Sequence, residues 1–123
     1  MLSESTSQLT AIDANPSLRP DPKQSRAAIR RCMAAWKRAY DAYLEGKKGS
    51  GIDQMFAAHQ AGPAYCGAMP PLDDCESIRS FIACVAHGIL IEAIPQKRAN
   101  QLLYASQVAL SALHSESKAR KSA

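Results

Sequence analysis

The side chains with the widest chemical reach in this 123-residue chain are four cysteines and three histidines. Cys66, Cys75, Cys84 and His87 follow one another in a C-x8-C-x8-C-x2-H order. Zinc takes four tetrahedral thiolate or imidazole ligands, and Cys84 and His87, one turn apart on a helix, could supply two of them. The spacing matches no established zinc pattern. A cysteine set within Phe81-Ile82-Ala83-Cys84-Val85-Ala86 is also of the kind that packs as a small buried hydrophobe. A zinc-stabilised module is therefore the third reading, and no metal or other cofactor is expected. As a nucleophile with His87 as base, Cys84 would need an exposed, electropositive setting and a third orienting group. Its apolar neighbours push the thiol the other way. Only a folded cleft gathering His59, Cys84 and His87 would revive catalysis.

The remaining candidates are plainer. Asp73 and Asp74 are adjacent and so point apart; one of them serves better as the cap of a following helix, with Glu76 three residues after Asp73. His59 and His114 read as boundary or solvent-side residues. No H-E-x-x-H, G-x-S-x-G or G-x-G-x-x-G occurs, and Gly46-Lys47-Lys48-Gly49-Ser50-Gly51 lacks both the spacing and the preceding strand of a phosphate-binding loop. The expected protein is not an enzyme. None of the cysteines forms a C-x-x-C pair, and in a reducing compartment Cys32, Cys66, Cys75 and Cys84 are expected to be free thiols.

The net charge of +4 hides a segregation along the chain. Residues 1–22 sum to −2, 23–50 to +6, 51–94 to −4 and 95–123 to +4. Oppositely charged helices packing as neighbours explain this most simply. The sharper account is a surface for an acidic partner or nucleic acid, built from Arg26, Arg30, Arg31, Lys37, Arg38, Lys47, Lys48, Lys97 and Arg98, with Lys118, Arg120 and Lys121 behind them. On a helical wheel those of the first helix surround it rather than forming one line. A helix-turn-helix around Gly88 fails because its turn would expose Ile89-Leu90-Ile91.

Ala and Leu outweigh β-branched and aromatic residues, and no window alternates like a strand, so the fold expected is all-α. The length suits one domain. Residues 1–22, with their Asn-Pro, Arg-Pro and Asp-Pro steps, read as a loosely draped or disordered arm, 23–114 as the helical domain and 115–123 as a fraying basic tail. A first helix from about Ser25 to Gly46 carries Ile29, Cys32, Met33, Trp36, Tyr40, Tyr43 and Leu44 on one stripe. A short second helix, Ile52 to Ala61, places Ile52, Met55, Phe56 and His59 on a face; Gly62-Pro63 should end it, and 64–71 should be irregular. The third helix is apolar on more than one side through Ile78, Phe81, Ile82, Val85, Ile89, Leu90 and Ile91, which makes it central or part of a dimer interface. Pro95 suits the first turn of a fourth helix whose Ala99, Leu102, Leu103, Ser106, Ala109, Leu110 and Leu113 form a narrow stripe. The short connection between these last two helices makes an antiparallel hairpin. Tyr104, Val108 and Ala112 fall on the opposite face, where they either cover a neighbouring segment or await a partner.

The run Ile94-Pro-Gln-Lys-Arg-Ala-Asn-Gln-Leu-Leu-Tyr-Ala-Ser-Gln-Val-Ala109 resembles the C-terminal hairpin of small uncharacterised proteins common in soil bacteria, which carry an I-x-x-x-R-A-x-x-L-L-Y-A-x-Q-x-A pattern. The resemblance implies the hairpin and no activity, and it points to Arg98, Tyr104 and Gln107, for which packing roles are expected. The N-terminal Cys/His segment frequent in those proteins is missing here. The reading that emerges is a four-helix, orthogonal or bundle-like domain acting as a non-catalytic protein-protein adaptor or regulatory accessory factor, or by self-association. The alternative is an accessory protein on the nucleic-acid backbone. No membrane contact is expected, because Phe81–Ile91 is about half a span. The first ten residues lack a secretory leader pattern, so the expected location is cytoplasmic.

Overall fold

The computed structural model describes residues 22–122, which form four helices: α1 (Pro22–Leu44), α2 (Gly51–Gly67), α3 (Cys75–Leu90) and α4 (Gln96–Ser122). There are no strands among the described residues. The arm expected over 1–22 lies outside the described residues except for Pro22, which opens α1 where its missing N–H costs nothing. α1 lies along α2 and against α3, and α3 in turn packs on α4. The basic first helix thus has the two helices of the acidic stretch as its neighbours, the arrangement the alternating charge suggested.

Local signals set most boundaries. Gly46, at φ 77°, ends α1 in the left-handed conformation that glycine adopts without a Cβ clash. Lys47 seals the same end: its ammonium donates to the Tyr43 carbonyl at 2.8 Å and sits 4.2 Å from the Tyr43 ring centroid. Ser50 then caps α2 in a reciprocal box. Its hydroxyl accepts from the Asp53 N–H, while the Asp53 carboxylate accepts from the backbone N–H groups of Gly49 and Ser50. The loop between α1 and α2 is therefore bonded on both sides.

α2 departs most from expectation. It continues through Gly62 and Pro63 to Gly67, so 64–67 are helical. Gly62 is buried and is tolerated for its size: a Cβ there would stand 2.8 Å from the Ala93 carbonyl oxygen. Pro63, next to it, is exposed. An interior proline costs about 3 kcal/mol, and the core contacts of Ala57, Ala61 and Tyr65 on either side of it offset that cost. The buried face of α2 is this small-residue row with Tyr65, while Ile52, Met55, Phe56 and His59 are all exposed. Small residues on both sides, Ala28 and Cys32 on α1 and Ala57 and Ala61 on α2, are fully buried or nearly so and let the backbones approach closely.

α3 is central, as expected. Phe81, Cys84 and Val85 are buried in a core that includes Ala28, Cys32, Tyr65, Ala93, Ile94 and Ala99, and Ile78 is buried one turn earlier on the helix. Its cap is Asp74, whose carboxylate accepts from the Ser77 N–H at 2.7 Å; that bond holds the carboxyl below its ordinary range. Asp73 and Glu76 take no part in this cap bond. At the other end, the Ala93 N–H donates to the Gly88 carbonyl and the Glu92 N–H to the Ile89 carbonyl, the pair of bonds that closes a helix through a left-handed residue. That residue is Glu92, at φ 60°, a position glycine usually fills. Left-handed backbone costs a side-chain-bearing residue roughly 1–2 kcal/mol, and glycine's greater freedom in the unfolded chain returns part of it. Glu92→Gly should therefore raise the urea-unfolding free energy by about 0.5–1 kcal/mol, and a loss of stability would contradict this turn geometry.

α4 begins at Gln96, with the Pro95 carbonyl accepting from the Ala99 N–H. Ala99 and Ser106 are fully buried and Leu102, Leu103, Ala109, Leu110 and Leu113 half-buried, the stripe expected; Ser106 satisfies its hydroxyl on the Leu103 carbonyl. The tail expected to fray at 115 instead continues α4 to Ser122. It contains no glycine or proline, and Glu116 and Arg120, 3.7 Å apart, pair one turn apart along the helix.

Candidate functional site

The chemistry-bearing residues are dispersed. Cys75 is exposed at the start of α3, Cys66 is half-buried at the end of α2 and Cys84 is fully buried at mid-α3. Among the described residues no three His, Cys, Asp or Glu side chains gather as metal ligands, so the Cys66, Cys75, Cys84 and His87 quartet is not assembled. The reason is the rotation of α3, which turns Cys84 into the core rather than toward a loop. His59 is exposed while Cys84 is inaccessible, so the cleft that catalysis would require is not formed either.

What Cys84 does meet is Cys32 of α1. Their sulfurs lie 3.8 Å apart and share a hydrogen bond in the core. The contact with Cys84 holds the Cys32 thiol below its ordinary range against burial, with Arg31 helping, and that same contact together with burial pushes the Cys84 thiol up. Tyr65 stands over them, donating its hydroxyl to the Cys84 carbonyl at 2.6 Å; burial and the neighbouring thiols push that phenol up. Burial also raises the Cys66 thiol, with Arg98 opposing and Cys32 adding to the rise. Sequence spacing offered no sign of this arrangement, since Cys32 and Cys84 are 52 residues apart.

The basic residues Arg26, Arg30, Arg31, Lys37, Arg38, Lys47, Lys48, Lys97 and Arg98 are all exposed. They lie on α1, on the α1–α2 loop and on the first turn of α4, and Lys47 is engaged at the end of α1 as described. Nothing draws them into one cleft; on α1 they flank the buried stripe on several sides.

The outward face of α4 is different. Tyr104 is 69% exposed and Val108 51%, and Ala112 follows them in solvent one turn on. Arg98 and Gln107 are exposed too, so the packing roles expected for Arg98, Tyr104 and Gln107 are not what the fold assigns them. α4 spans 27 residues against 16 in α3, the helix it packs on, and residues 114–120 are all exposed. At 1.5 Å per residue α4 outlasts α3 by roughly three turns. A second row, Ile52, Met55 and Phe56 on the first turns of α2, is likewise in solvent, as is Leu90 at 81% exposure near the α3–α4 turn. The sequence marked the α2 row as one face without indicating that the small residues opposite would be the buried ones. No described helix is long and apolar enough to cross a membrane. Compared with known protein families, curated proteins and solved structures, the chain matches none.

Proposed function

We propose that this domain is a non-catalytic protein-binding module that docks a protein partner on the outward face of α4. The observation that carries the reading is the Tyr104–Val108–Ala112 strip, a helix-spaced apolar row left in solvent on a helix whose opposite face is already committed to α3. Tyrosine in such a row supplies large contact area at low conformational cost, with a hydroxyl for the rim. The exposed guanidinium of Arg98 and amide of Gln107 flank the strip and suit that rim. A regulatory or adaptor role follows from binding without chemistry.

The test compares the tagged full chain with its Tyr104→Glu/Val108→Glu variant in retention of partners from native lysate, with and without nuclease and at low and high salt. Both substituted side chains are exposed, so folding should be unaffected. A protein partner that survives nuclease and salt, and whose retention falls at least about tenfold in the variant, is the expected result; that ratio corresponds to about 1.4 kcal/mol. Equal retention by both proteins would remove α4 from the account. Recovery of nucleic acid that is lost with salt would transfer function to the basic residues, with Arg31, Arg38, Lys47 and Lys48 the first to neutralise.

A further inference from the structure

Cys32 and Cys84 come from helices that pack directly on one another, and each is fully buried with its sulfur 3.8 Å from the other. A disulfide requires sulfurs about 2.05 Å apart, so closure asks for less than 2 Å of approach between side chains that already face each other. The other two cysteines do not compete on equal terms, since Cys75 is exposed at the far end of α3 and Cys66 is bonded to neither sulfur. From this juxtaposition we infer that Cys32 and Cys84 are a redox modification site, forming a reversible internal disulfide that clamps α1 to α3.

The oxidant that fits is a hydroperoxide of nearly water's size, because neither sulfur is open to a bulky disulfide reagent. The Cys32 thiolate attacks one peroxide oxygen, the O–O bond breaks, and hydroxide leaves to take up a proton as water. The Cys84 sulfur then attacks the resulting Cys32 sulfenic acid, the S–S bond forms, and the second oxygen leaves as water. Two thiols and one hydrogen peroxide thus give one disulfide and two waters. The lowered Cys32 thiol suits the first step, and its Cys84 neighbour is placed to resolve it before further oxidation. A thiol reductant reverses the bond when the core opens. Closing a loop between residues 52 apart restricts the unfolded chain, so the oxidised form should melt higher by on the order of ten degrees.

The experiment treats the folded full chain with hydrogen peroxide, then maps alkylated and linked peptides by mass spectrometry and records melting curves before and after dithiothreitol. The Cys66→Ser/Cys75→Ser variant is run beside it, leaving only the pair in question. The expected result in both proteins is a Cys32–Cys84 linked peptide, the higher melting temperature and its reversal by dithiothreitol. Four thiols still free after treatment, a link through Cys66 or Cys75, or a Cys32–Cys84 link that does not raise the melting temperature would overturn the inference.

Discussion

Tyr65→Ala should destabilise the domain by about 3–5 kcal/mol, the usual consequence of removing a buried aromatic ring. Among the described residues Tyr65 is the largest fully buried side chain, and it joins α2 to α3 by packing in the core and by its hydrogen bond to the Cys84 carbonyl. Small domains are stable by only roughly 5–15 kcal/mol, so this one change should bring much of the population to the edge of unfolding at 37 °C. Tyr65→Phe separates the two contributions. It keeps the ring and removes only the hydroxyl, and should cost about 1–2 kcal/mol. Urea unfolding of the two variants checks both values; a Tyr65→Phe loss as large as that of Tyr65→Ala would mean that the ring packs poorly.

Gly62→Val should cost about 3 kcal/mol, at the upper end of what overpacking a core does. The first atom added meets the Ala93 carbonyl oxygen at 2.8 Å, and that oxygen belongs to backbone fixed by the α3–α4 turn rather than to a side chain that can rotate away. Valine's branch adds more atoms in the same place. Gly67, in the last turn of α2, is the internal control, because nothing stands within 4 Å of a Cβ built there. Gly67→Ala should therefore stabilise by about 0.5–1 kcal/mol through helix propensity alone. Opposite signs at two glycines of one helix would locate the close contact; equal effects would argue against it.

These two residues also show where the sequence stops being legible. Gly62-Pro63 is a strong local signal for a helix end, and the chain overrides it because tertiary burial of Ala61, Gly62 and Tyr65 outweighs the local cost. A glycine needed for close approach and a glycine that breaks a helix look identical until the neighbour is known. The same limit applies on α2, where the larger apolar residues Ile52, Met55 and Phe56 look like the core face and the alanines opposite are the ones buried. Helix α3 was legible because Ile78, Phe81 and Val85 repeat at helical spacing and are apolar enough to leave no alternative. On α4, periodicity separated Tyr104 and Val108 from the buried stripe, though not whether another segment would cover them. The Cys32–Cys84 contact was beyond reach for a different reason: pairing across 52 residues depends on how α1 and α3 rotate about their axes, which no local pattern encodes.

The central claim is that a protein docks on the outward face of α4, and a photo-crosslinker placed at Val108 in living cells tests it most directly, with one at Arg38 as comparison. Both positions are exposed, so neither should disturb the fold. The account predicts a discrete protein adduct from position 108 and none from position 38. No adduct from 108, or nucleic acid attached at 38, would contradict it.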